Sequence, residues 1–200
     1  MVENNLKKIF LSASIPYAER DEKYYSTADI LAIRDSIRAL ATVVIPKAHL
    51  IWGGHPTITP LIRFVMELMK ADIKSHITMY QSNYFRDFFS EDNSHFENIK
   101  IITSGIDRES SLKSMRERMI KENNFSAGIF IGGMEGVIEE YHLFKSAHPQ
   151  ALIIPIASTG AASQIIYNLE QNTNPKLKND YAYMALFREL LREQMKFFQL

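Results

Sequence analysis

Short apolar runs that alternate with longer amphipathic segments predict an α/β fold. The expected architecture is a single-domain, Rossmann-like three-layer sandwich with a mainly parallel sheet, helices on both faces and a C-terminal helix. Two further observations support it. Several of the apolar runs are nearly continuous, as strands covered on both faces must be. Five of the runs also exit into small residues, at SAS, GGHPT, TSG, GGMEG and ASTGA. In doubly wound sheets ligands bind in the crevice beyond the strands' carboxyl ends, so these exits are where chemistry belongs.

The first strand is KIFLSAS (8–14), and the polar segment 17–29 leads to a helix capped by Ser26 or Thr27, with Asp29 in its first turn. Ile30, Ile33, Ile37, Leu40 and Val44 recur along one face of that helix, and Pro46 ends it. HLIWGG (49–54) is the second strand, and a helix starts near Pro60 with Leu61, Phe64, Val65, Leu68 and Met69 as its stripe. ITMYQ (77–81) is the third strand; the aromatic stretch after it reads as a loop with at most a helical turn. Strand four is IKIITSG (99–105), followed by a charged amphipathic helix over 108–123. AGIFIGG (127–133) and ALIIPIAS (151–158) are strands five and six, each followed by a helix. A turn-rich linker, NTNPKLKND, then leads to a last helix. The expected division is a ligand-binding domain over 1–175 and a helical extension over 176–200. Met184, Phe187, Leu190, Leu191, Met195 and Phe198 give that extension an apolar stripe, which either packs on the domain or forms a self-association surface.

Composition narrows the function classes. Lysine plus arginine and aspartate plus glutamate each number 23, so no general field draws the chain onto nucleic acid or an anionic membrane. The absence of cysteine excludes disulfides, thiolate nucleophiles and cysteine-type zinc sites. No uncharged apolar run reaches the roughly 18 residues of a membrane span. The N-terminal stretch does not read as a secretory signal, and the expected location is cytoplasmic. No metal or cofactor is expected.

The candidate site residues sit at the strand exits. Ser12 and Ser14 offer hydroxyls after the first strand. Gly53, Gly54, His55 and Thr57 follow the second, where glycines allow close backbone approach and helix-start amides can hold an anion. Ser104 follows the fourth strand, and Thr159 the sixth. Gly132, Gly133, Glu135 and Gly136 form the turn after the fifth, with Glu140 one helical turn beyond Gly136. A carboxylate at Glu140 can bond ribose hydroxyls or stabilise an oxocarbenium-like centre, although acids are also favoured in any first helical turn. Glu139 lies about 100° further round the helix, which points it to solvent or a neighbour. Of Arg116 and Arg118, one can face the strand ends and pair with phosphate. The glycine signatures of dinucleotide-binding, P-loop and nucleophile-elbow proteins are absent.

These pieces resemble the SLOG superfamily, which joins the DNA-processing protein A fold with the LOG cytokinin-activating enzymes. In LOG enzymes M-x-x-R-K precedes P-G-G-x-G-T-x-x-E, and the arginine and final glutamate act in phosphoribohydrolysis. Here MRER (115–118) stands before IGGMEGVIEE (131–140). The resemblance therefore implies Arg118 and Glu140 as the catalytic pair of an enzyme, or as ligand contacts of a binding domain. Met119, Ile131 and Val137 depart from the LOG pattern, and the glycine turn carries one extra residue, Glu135. FLSASIP and WGGHPTITP are more similar to divergent SLOG clusters found beside TIR or small membrane-spanning effector domains in bacterial conflict systems. Related SLOG domains in Thoeris-type effectors recognise cyclic ADP-ribose signals.

The resemblance implies a sensor of a nucleotide-derived small molecule such as ADP-ribose or cyclic ADP-ribose. Its expected partners are a TIR or membrane effector and a second copy of itself, with neither nucleic acid nor direct membrane contact. The alternative is a phosphoribohydrolase or deoxyribosyltransferase-like enzyme that cleaves a nucleotide's N-glycosidic bond.

Overall fold

The computed structural model describes residues 6–20, 22–69, 74–103 and 105–195. Two of the residues singled out above, Ser104 and Phe198, lie outside the described residues. Six strands form one sheet in the order β4-β3-β2-β1-β5-β6: β1 Lys8–Ser14, β2 His49–Trp52, β3 Ile77–Ser82, β4 Ile99–Ile102, β5 Phe125–Gly132 and β6 Leu152–Ile156. Every pairing is parallel. The chain winds outward from β1 to β4, then returns to the other side of β1 for β5 and β6. The order therefore reverses between β1 and β5, the position where a doubly wound sheet opens a crevice.

Helices cover both faces. α1 is Glu22–Tyr25, α2 Ile30–Val44, α3 Thr59–Leu68, α4 Arg108–Lys121, α5 Glu135–Ala147 and α6 Ala161–Leu169. α7 (Lys176–Asn179) and α8 (Tyr183–Leu190) follow. Alternation along β1 sorts the two cores. Ile9 and Leu11 join α2, α3 and α8 on one face. Phe10 joins α4, α5 and α6 on the other. On this second face Phe10 stacks on Phe144 of α5 at 5.3 Å between ring centroids, with Phe125 and Phe130 packed around the pair. Gly128 leaves room for that cluster, because a Cβ there would meet the Phe144 ring at 2.8 Å.

Local chemistry explains most element boundaries. Asp29 is the N-cap of α2, its carboxylate accepting from the Ala32 amide at 2.9 Å. This corrects the expected cap at Ser26 or Thr27: Thr27 instead receives the Ala161 amide at 3.1 Å, tying the loop before α2 to the start of α6. Asp107 and Ser110 form a capping box at α4. The aromatic stretch after β3, expected as a loop with one helical turn, folds as two 3₁₀ segments, Asn83–Phe88 and Glu91–His95. The linker NTNPKLKND contains α7, and among the described residues the last helix spans Tyr183–Leu190. α8 lies on α2, with Leu186, Phe187 and Leu191 buried in the core of that face. Among the described residues, no helix is long and apolar enough to cross a membrane.

Candidate functional site

A cleft of about 930 Å³ lies over the carboxyl ends of β1, β2, β3 and β5, walled by the starts of α4 and α5 and by the 3₁₀ segment after β3. Its chemical centre lies at the β1/β5 reversal. Ser12 points to the same face of the sheet as Phe10, because side chains alternate along a strand. That face meets α5, and the Ser12 hydroxyl donates to Glu140 Oε2 at 2.5 Å. The other carboxylate oxygen, Oε1, accepts from Arg116 Nε at 3.3 Å. The Arg116 guanidinium also pairs with Glu139 through Nη1. Its Nη2 lies over Gly136 so closely that a Cβ at that position would collide with it.

Burial raises the Glu140 pKa above its ordinary value, while Arg116 and the Ser12 hydrogen bond pull it back. Glu140 is a desolvated carboxyl with two fixed partners, Ser12 and Arg116, whereas the Glu139 side chain is half exposed at the rim. The helical separation of the two glutamates accounts for that difference.

Arg118 requires a correction. It points away from the cleft, donating from Nε to Glu122 Oε1 at 2.6 Å with its side chain largely exposed. Two helical positions correspond to about 200°, so Arg116 and Arg118 of α4 occupy opposite faces, and Arg116 is the arginine that reaches Glu140.

The other predicted site residues divide into two groups. Ser14, Gly53, Gly54, His55, Glu135, Gly136 and Glu140 line the cleft. Glu135 at its edge accepts from the Tyr24 hydroxyl at 2.5 Å. Gly132, Gly133, Thr57 and Thr159 build the turns beneath it. Gly132 and Gly133 have φ of 56° and 86°, a region that favours glycine. Their amides are spent inside the fold, on Thr159 Oγ1 at 2.9 Å and on Ser14 O at 2.8 Å. Neither amide is left to hold a phosphate. Thr159 is fully buried and also donates to Ile156 O, so it is a structural strut rather than a ligand contact.

The turn after β2 is likewise internally bonded, since the Ile58 and Thr59 amides both donate to His55 O. The expected anion cradle at the start of α3 is therefore closed. What remains there is His55 itself. Burial, helped by the nearby Arg20 charge, lowers its pKa to about 4, so the ring is neutral at pH 7. Nδ1 takes hydrogen bonds from the Thr57 amide at 3.3 Å and the Thr57 hydroxyl at 2.8 Å. The ring proton therefore resides on Nε2, where it is available to a ligand.

Several cleft residues were not singled out from sequence. Tyr24 comes from α1, and Gln81 from the end of β3. Phe85, Phe88 and Phe89 come from the aromatic stretch, whose density of rings in a non-strand segment was the available signal. Arg20, Arg108 and Lys113 also line the cleft, and their side chains make no hydrogen bond or ion pair among the described residues.

No curated protein matches this chain by sequence. Among solved structures, the X-ray structure of TM1055, a Northeast Structural Genomics Consortium target, is similar to it. The TM-score is 0.51 at 13% identity, over 82% of this chain and 81% of that one, a likeness of fold. The fold, the strand-exit motifs and the cleft at the β1/β5 reversal agree with the match of residues 23–191 to the model of the SLOG cluster3 family, and the chain belongs to that family.

Proposed function

We propose that this chain is a sensor domain that binds a nucleotide or nucleotide-derived ligand of the ADP-ribose or cyclic ADP-ribose kind, in a bacterial defence or signalling system. The observation that carries this reading is the Ser12–Glu140–Arg116 group at the reversal point of the sheet. It is a buried carboxyl beside a guanidinium, at the place where doubly wound folds take nucleotides. Glu140 accepts ribose hydroxyls, His55 Nε2–H donates to the ligand, and Arg20, Arg108 and Lys113, which line the cleft, balance its phosphates. Membership of the SLOG cluster3 family supports the same ligand class. Calorimetry against ADP-ribose, its cyclic isomers, NAD and nucleoside monophosphates tests it. Micromolar binding that weakens in Glu140→Ala is the expected result, and silence across the panel with folded protein overturns it.

A cytoplasmic protein that hands its signal to a TIR or membrane effector, as a homo-oligomer, completes the proposal. Light scattering with and without ligand tests the assembly, and an unchanged monomer mass removes it.

The position of Glu140 one helical turn beyond the glycine turn, held there by Ser12 and Arg116, favours one second reading, cleavage of an N-glycosidic bond. Water would add at C1′ as the base departs with the bonding pair and a proton, and Glu140 would stabilise the oxocarbenium-like centre. Release of free base from nucleoside monophosphates, abolished in Glu140→Gln, is the expected signature. Its absence leaves the binding reading alone.

A further inference from the structure

Near the exit of β3 and the start of α4 the cleft wall is aromatic. Phe85, Phe88 and Phe89 line it, and Phe88 is 79% exposed. Phe85 is held edge-on by Tyr84 at 5.1 Å, and its φ and ψ of −100° and 18° break the 3₁₀ segment. An open phenylalanine on a concave surface leaves a ring face for a planar partner.

The floor nearby is polar and specific. Gln81 lines the cleft, is buried, donates from Nε2 to Gly54 O at 3.3 Å and accepts from Asn93 Nδ2 at 2.9 Å. A primary amide has two N–H donors and two acceptor lone pairs, so one of each remains on Gln81. Asn93 Oδ1, also buried, has no hydrogen-bond partner among the described residues. One donor beside one acceptor matches the N6 amino group and N7 of adenine, whereas guanine presents two acceptors along the same edge.

We propose that this end of the cleft holds the base of an adenine nucleotide, stacked on Phe88 and read by Gln81, with its sugar and phosphates running toward Glu140. The proposal rests on the nucleotide reading above and deepens it. A volume of about 930 Å³ is near the top of the range of small-molecule sites, about 300–1,000 Å³, and accommodates a base at one end and a sugar at the other.

Trp52 is the only tryptophan and lines the cleft, so its emission reports occupancy in the full chain. Titrations would use AMP, ADP-ribose, GMP and ribose 5-phosphate, with calorimetry as a second readout. AMP and ADP-ribose are expected to bind about 10-fold or more tighter than ribose 5-phosphate. Phe88→Ala, which removes no buried side chain, is expected to weaken both adenine ligands about 10-fold and to leave ribose 5-phosphate unchanged. Gln81→Leu, confirmed as folded by circular dichroism, is expected to erase the preference for AMP over GMP. Unchanged AMP and ADP-ribose affinity in Phe88→Ala, or ribose 5-phosphate binding as tightly as AMP, overturns the base subsite while the nucleotide reading stands. If none of the four ligands binds by either readout, both readings fall.

Discussion

The Ser12 hydroxyl donates to Glu140 Oε2 at 2.5 Å, joining β1 to α5 across residues 128 positions apart in the chain. This bond spans the point where the strand order reverses. It holds a carboxyl whose burial favours the protonated form, and it fixes Glu140 inside the cleft while Glu139 stays at the rim.

Glu140 imposes a pH dependence on stability. Its folded pKa is raised above the unfolded value, so the folded state binds more protons there and the contribution is complete at acidic pH. That contribution declines as pH rises through the raised folded pKa. Urea unfolding of wild type and Glu140→Gln across pH 4–8 should show a declining increment in wild type that the glutamine variant lacks. Parallel profiles would contradict the assignment.

Arg116 and Arg118 should separate cleanly. Arg116→Ala removes the guanidinium from Glu140 and is expected to cost a nucleotide ligand about 10-fold or more in affinity, the scale of a hydrogen bond to a charged group. It should also raise the Glu140 pKa further. Arg118→Ala breaks only an exposed pair with Glu122 and should stay within about 0.5 kcal/mol of wild-type stability with unchanged affinity. Calorimetry on both variants checks this, and an equal loss in each would return Arg118 to the site.

Two histidines act in the opposite sense to Glu140. His49, bonded through Nε2 to Thr78 Oγ1 at 2.8 Å, and His55 both have pKa values lowered to about 4, chiefly by burial. The unfolded chain takes up these protons first, so stability is lost as pH falls from the unfolded value through about 4. The loss is on the order of 2 kcal/mol per ring once solvent access is allowed for. Unfolding midpoints of His49→Gln and His55→Asn at pH 7 and pH 4.5 measure it; each variant should show less acid sensitivity than wild type.

Gly128→Ala tests the aromatic core beneath the site. Its Cβ would meet the Phe144 ring at 2.8 Å within the Phe10–Phe125–Phe130 cluster, and overpacking of this kind costs about 1–3 kcal/mol. A drop in the thermal midpoint with an unchanged far-UV spectrum is expected. A neutral substitution would show that the ring has room to shift.

Six strands, their parallel pairing and the helices on both faces were legible because near-continuous apolar runs and 3.6-residue stripes are local signals. Glu140 was legible too, since one helical turn past a glycine turn is also a local relationship. The cap of α2 is not legible in the same way: the sequence points to Ser26 or Thr27, but Asp29 takes the position and Thr27 is claimed by Ala161 far along the chain. The family motif points to Arg118, but its spacing carries no information about which face of α4 lies against α5, and Arg116 is the one that meets Glu140.

The chain's local patterns thus suffice for the fold class, the family resemblance and the end of the sheet that bears the site. Which polar groups there remain free depends on long-range pairing. The amides of Gly132 and Gly133 are consumed by Thr159 and Ser14, the Thr57 hydroxyl by His55 and Ile15, and the exposed aromatic wall appears only when the segment after β3 folds over the cleft. The physical reason is that a hydrogen bond satisfied inside the protein is no longer available to a ligand. Partners separated by tens of residues meet only in the folded chain.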